Sequence, residues 1–91
     1  MFKLPEQLVI QHIDDLHQQI LEYLKTEEVI VIDGSDVIKM DTSGIQLLCS
    51  IQKGLQSVGQ KIHWREPGEV LKSTARMTGV SDFLDLSVTN E

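Results

Sequence analysis

Val29-Ile30-Val31-Ile32-Asp33, followed after a short gap by Met40-Asp41-Thr42-Ser43-Gly44-Ile45, is the stretch that decides the fold. Four consecutive β-branched residues with no polar side chain alternating among them predict a strand covered on both faces, and so a central one. Asp33-Gly34-Ser35-Asp36 has turn composition, and Val37-Ile38 is expected to carry the chain over the sheet edge. From Gly44 onward Ile45, Leu48, Ile51, Leu55 and Val58 recur every three or four positions. That period predicts a helix over 44–58 with Gly59 as its stop.

Working outward, Ile13, Leu16, Ile20 and Leu24 follow at spacings of 3, 4 and 4, with Asp14, Asp15, Gln18, Gln19 and Glu22 between them. This predicts an amphipathic helix over 13–25. Lys61-Ile62-His63-Trp64 has strand composition. Pro67-Gly68-Glu69 opens a third helix through Val70, Leu71, Thr74 and Met77 to a stop at Gly79, and a further turn is expected over 80–86. Strands alternating with helices require crossover connections and parallel pairing. The expected fold class is therefore α/β, a mixed and mostly parallel sheet of about four strands packed with three to four helices.

The chain has 91 residues, 41% apolar and 24% charged. It is expected to form one folded domain over residues 1–91, since disordered chains combine lower hydrophobicity with higher charge. With 14 acidic residues against 8 basic ones, a net charge of -6 and no Lys/Arg cluster, nucleic acid is not expected as a partner. The run Val29-Ile30-Val31-Ile32 is far shorter than the ~20 residues a membrane-crossing helix needs, so no direct membrane insertion is expected. The N-terminus carries no secretion-signal pattern, which leads to an expected cytoplasmic location. Cys49 has no partner for an internal disulfide and is expected to act as a small buried hydrophobe. His12 and His17, five residues apart, do not share a helical face, so no metal is assigned to them or to His63. Trp64 at a strand end is expected to cap the core rather than anchor a partner beside Arg65. No nucleophile elbow, phosphate-binding loop or dinucleotide turn is present, and the chain is read as non-enzymatic and without a cofactor.

The remaining candidate is Asp41-Thr42-Ser43-Gly44, at the start of the second helix. The first N–H groups of a helix lack internal partners and carry partial positive charge, so a phosphoryl group on Ser43 is chemically admissible there. A plainer reading exists beside it. Ser43-x-x-Gln46 matches a capping box, in which Ser43 accepts a helix N–H while Gln46 reaches back. Gly44 permits close approach to the backbone.

With the elements in this order, the chain resembles the STAS domain family of bacterial anti-sigma-factor antagonists and their relatives. The resemblance covers about residues 5–86. It rests on the apolar strand ending at Asp33, the Met40-Asp41-Thr42-Ser43-Gly44-Ile45 segment, the following helix to Leu55, Gly59-Gln60-Lys61-Ile62 and the stretch from Thr74 to Phe83. The family motif is an aspartate, two small and mostly hydroxylated residues, a glycine and an aliphatic residue. The resemblance implies that Ser43, or alternatively Thr42, is phosphorylated by a partner that is a serine kinase and anti-sigma factor. Asp33, Asp36, Asp41, Thr42, Ser43, Gly44 and Gln46 are then the expected partner-binding residues. Phosphate adds about -1.5 to -2 charges beside Asp33, Asp36 and Asp41, while the helix N-terminus offsets only about 0.3–1 kcal/mol of the repulsion. The fold would persist while the complex dissociates.

One feature departs from the antagonists. They carry a longer N-terminal strand or hairpin, whereas Met1 here stands only a few residues before Leu4-Pro5-Glu6-Gln7-Leu8. A short first strand is similar to that of the STAS subunit of phospholipid-trafficking ABC transporters, in which the residue matching Thr42 matters and the partner is an ATPase. Small stand-alone STAS proteins of chemotaxis clusters are a third likeness. The expected partner is thus a serine kinase or another ATPase protein, and the expected assembly is a monomer or weak dimer.

Overall fold

A computed structural model describes residues 1–86. Its elements are β1 (Phe2–Lys3), β2 (Gln7–Leu8), a 3-10 turn (Ile10–His12), α1 (Ile13–Thr26), β3 (Ile30–Asp33), β4 (Lys39–Met40), α2 (Thr42–Gln56), β5 (Ile62–Glu66) and α3 (Glu69–Met77). The strands pair in parallel throughout, in a β1-β3-β5 sheet and a β2-β4 sheet. The α/β class and the parallel pairing agree with the sequence, and β3 is central. The strands divide into two small sheets because Ile38 and Lys39 donate their N–H groups to the Glu6 carbonyl, at 2.8 and 3.1 Å. These bonds draw β4 to the N-terminal segment and away from β3.

The short β1 leaves part of the β3 edge without a strand. Val31 is flanked there by Tyr23 from α1, whose hydroxyl accepts from the Val31 N–H and donates to the Val31 carbonyl, both at 3.1 Å. One side chain thus satisfies a donor and an acceptor that a longer first strand would have paired. The Phe2 ring packs on the Tyr23 ring with centroids 5.7 Å apart.

The core is one cluster between helices and sheets, with Leu16 and Ile20 from α1, Ile30 and Ile32 from β3, Leu71 and Ala75 from α3, and Ile45, Leu48, Ile51 and Leu55 from α2. Each large aliphatic buried this way contributes on the order of 1.5–3 kcal/mol. Two expected core positions lie outside it. Val29 precedes β3 and Val58 lies past the end of α2, and both are exposed. The α2 helix stops at Gln56 because Gly59, at φ +77°, closes a Schellman motif in which Gln60 N–H reaches the Leu55 carbonyl at 2.8 Å. Gly79 ends α3 in the same way, with Val80 N–H on the Ala75 carbonyl at 2.9 Å.

Gln52 is one of two buried polar residues among those described, with Asp33, and is only 2% exposed. Its Oε1 accepts from the Ile62 N–H at 2.8 Å and its Nε2 donates to the Phe83 carbonyl at 3.1 Å. It fastens α2 to β5 and to the turn after α3. Trp64 is half-buried against the core, and its indole N–H donates to the Leu84 carbonyl at 2.8 Å. The expected packing of Trp64 on the core is found, but in the middle of β5 and not at a strand end. No helix among the described residues is long and apolar enough to cross a membrane.

Candidate functional site

The start of α2 is held by Asp41, not by Ser43. Asp41 is the N-cap, with extended backbone at φ -117°, and its Oδ1 accepts from the N–H groups of Ser43 at 2.9 Å and Gly44 at 3.4 Å. The expected capping box at Ser43 and Gln46 is therefore corrected. The helix begins two residues earlier than the apolar period indicates, which places Ser43 inside its first turn, where its hydroxyl cannot serve as the cap. Asp41 also reaches across the fold, since Oδ2 accepts from the Ile10 N–H at 3.1 Å and its own N–H donates to the Leu8 carbonyl at 3.2 Å. A cap of this kind is worth about 1 kcal/mol, and here it also fixes α2 against β2 and the turn behind it.

Gly44 completes that contact. A Cβ built on it would lie 2.6 Å from the Leu8 carbonyl oxygen and 2.9 Å from the Leu8 Cβ. The close approach expected at this glycine is thus to the protein's own β2 strand. Asp41 and Gly44 together set where the first turn of α2 stands.

The next residues divide between two environments. Thr42 is exposed and Ser43 half-buried. Thr42 stands at the head of a groove of about 520 Å³ that runs down α2 past Ile45, Gln46 and Cys49 to Lys53, with Val80 and Phe83 from the turn after α3 forming the opposite wall. Ser43 does not line it, and its hydroxyl makes no hydrogen bond among the described residues. Cys49 is half-buried on the groove wall, more open than the buried position expected, because its face of α2 is covered only in part by that turn. Burial pushes its thiol pKa above the ordinary value, which disfavours the reactive thiolate.

The two remaining acidic residues, Asp33 at the end of β3 and Asp36 in the loop after it, make contacts of their own. Asp33 is buried, and its carboxylate accepts from the Ser35 N–H at 2.8 Å. Hydrogen bonding from the Ser35 side chain and backbone holds its pKa below the ordinary value of 3.8, against the opposing effect of burial. Asp36 is exposed and stands 3.8 Å from the Lys3 ammonium, a surface pair worth about 0–1 kcal/mol. Of the expected contact residues, the structure thus brings Thr42 and Gln46 into one groove. Asp41 and Gly44 are used for positioning, Asp33 is engaged with Ser35 of the following loop, and Asp36 faces Lys3 of β1.

Nothing in the local pattern of residues points to the second wall. Val80 and Phe83 lie in a stretch expected only to turn, and Lys53 is one polar residue among several on an amphipathic helix. The signal for such a wall is an aromatic residue left 37% exposed in a turn, which needs coordinates to be seen.

In comparison with known proteins, the family model described as "Mlab, STAS domain" matches residues 2–86. No match was found among curated proteins or among solved structures.

Proposed function

The chain belongs to the STAS domain family, and from that premise we propose that it is a non-catalytic, cytoplasmic interaction domain that docks a partner ATPase through the outer face of α2. Domains of this family are generally non-enzymatic regulatory modules. In this reading the chain is a constitutive subunit on the ATPase of a phospholipid-trafficking ABC transporter. Thr42 and Gln46 meet the partner, and Asp41 and Gly44 hold the docking helix in place. The carrying observation is the position of Thr42, exposed at the head of the α2 groove, while Ser43 lies outside the groove lining. The matching family model also bears the name Mlab, not that of an anti-sigma-factor antagonist.

A second reading keeps Ser43 as a phosphorylation switch for a serine kinase and anti-sigma factor. What favours it is a Ser43 hydroxyl without a hydrogen bond among the described residues, in a helix turn whose N-terminal field tolerates phosphate. The two separate in one experiment, a pull-down from the native host with wild-type, Thr42→Arg and Ser43→Asp baits, together with intact-mass analysis of the recovered protein. The fixed-subunit reading expects a transporter ATPase on wild type and Ser43→Asp, its loss on Thr42→Arg, and no phosphoryl mass. Capture of a serine kinase by wild type but not Ser43→Asp, with a phosphoryl mass absent from Ser43→Ala, establishes the switch instead.

A further inference from the structure

The docking reading leaves open what kind of segment fits the groove. One of its walls is the helix α2 and the other is the turn after α3. The α2 wall satisfies its own backbone hydrogen bonds internally, so an extended peptide laid along it would find no ladder partner and would bury unpaired N–H and C=O groups. A helical segment satisfies its own backbone and needs only to present an apolar stripe to Ile45, Cys49, Val80 and Phe83. Thr42 and Lys53 are eleven residues apart, about 16 Å along the helix axis, which is the length of about three turns.

Charge sets the direction. The chain carries a net charge of -6, yet no carboxylate lines this groove, and its one charged lining residue is Lys53. Among the described residues Lys53 has no carboxylate partner, as is also true of Lys39, Arg65 and Arg76, and of these four only Lys53 lines the groove. A patch in which Ile45, Cys49, Val80 and Phe83 stand among uncharged polar side chains, with a cation at one end, on an otherwise acidic protein, is complementary to an amphipathic helix with an acid at the matching end.

Resting on the docking reading above, we propose that the α2 groove receives an amphipathic helix of about three turns from the partner protein, oriented so that a glutamate or aspartate of that helix pairs with Lys53. The apolar stripe supplies the affinity and the Lys53 pair fixes which way the helix lies. A pair at a solvent-exposed rim is weak, and reversing the charge at Lys53, which adds repulsion to the loss of attraction, is expected to weaken binding by about fivefold.

The test uses a displayed library of helical peptides, selected in parallel on the full chain and on Lys53→Glu. Groove occupancy is read as protection of Cys49, the chain's one cysteine, from alkylation followed by intact mass. Peptides selected on wild type are expected to show apolar residues at helical spacing with an acid at one end, and to protect Cys49. On Lys53→Glu that end is expected to turn basic, and acid-ended peptides to bind about fivefold more weakly. Peptides that protect Cys49 but show no acid preference, or none that switches with Lys53→Glu, overturn the inference and leave the docking face standing. Selected peptides that bind without protecting Cys49, or the absence of any enriched peptide, overturn the inference and count against the docking face as well.

Discussion

Two glycines of α2 are expected to respond to alanine in opposite directions. At Gly44 the added Cβ meets the Leu8 carbonyl oxygen at 2.6 Å, the Leu8 Cβ at 2.9 Å and the Met40 Cε at 3.2 Å. Met40 can rotate, but the Leu8 backbone cannot, since it is held by the β2–β4 pairing and by the Asp41 N–H at 3.2 Å. Forcing these apart costs about 1–3 kcal/mol, against at most about 1 kcal/mol gained from the better helix propensity of alanine. At Gly54 a Cβ meets nothing within 4 Å, so the substitution brings up to about 1 kcal/mol and no strain. For a domain of this size 1 kcal/mol moves Tm by about 4–8 °C. Thermal unfolding followed by circular dichroism is expected to show Gly44→Ala several degrees below wild type and Gly54→Ala a few degrees above it. The double variant is expected to fall at the sum, because the sites lie about 15 Å apart along the helix. A rise in Tm for Gly44→Ala matching that of Gly54→Ala would refute the reasoning, because it would mean that β2 yields to α2 and does not position its first turn.

Three further outcomes follow from single contacts. Gln52→Leu fills the space but leaves the Ile62 N–H and the Phe83 carbonyl without their partner, so denaturant unfolding is expected to show a loss of about 2 kcal/mol or more; an unchanged midpoint would speak against the staple. Tyr23→Phe strips the Val31 N–H and carbonyl of their shared hydroxyl, with an expected loss of about 1–2 kcal/mol and faster amide exchange at Val31 that wild-type-like protection there would contradict. Asp33 has a lowered pKa in the fold, so its contribution to stability is present above the ordinary value of 3.8 and lost as pH falls through the lower folded value. Asp33→Asn is expected to flatten that acid limb in Tm measurements from about pH 6 to about pH 2, and parallel curves for the two proteins would show that Asp33 does not shape it.

Much of this fold was legible because local chemistry and tertiary contacts agree. The β-branched run marked the central strand, the apolar period marked α1 and α2, and Gly59 and Gly79 marked the ends of α2 and α3 by the left-handed geometry they adopt. The errors arose where a distant partner decides. Asp41, Thr42 and Ser43 are all residues that cap helices, and Asp41 takes the role because its second oxygen also finds the Ile10 N–H, 31 residues away in sequence. The split into two sheets depends on the Glu6 carbonyl receiving Ile38 and Lys39, another contact that no local pattern records. Gln52 left a trace that could have been followed, since it stands four residues after Leu48 and three before Leu55, in line with the apolar stripe. A polar residue in that register signals a buried hydrogen-bonding role. For the candidate site, the hydroxyl-glycine motif falls on the first turn of α2, but which hydroxyl faces outward depends on where α2 begins, and hence on Asp41.

The central claim is that the α2 groove is where this domain meets its partner. The most direct measurement places a photo-crosslinking residue at Gln46, in the groove, and for comparison at Gln18, on the exposed face of α1, in the full chain expressed in its native host. The docking account predicts one dominant crosslinked ATPase from Gln46 and none from Gln18. Crosslinking of that ATPase from Gln18 while Gln46 gives none would contradict it.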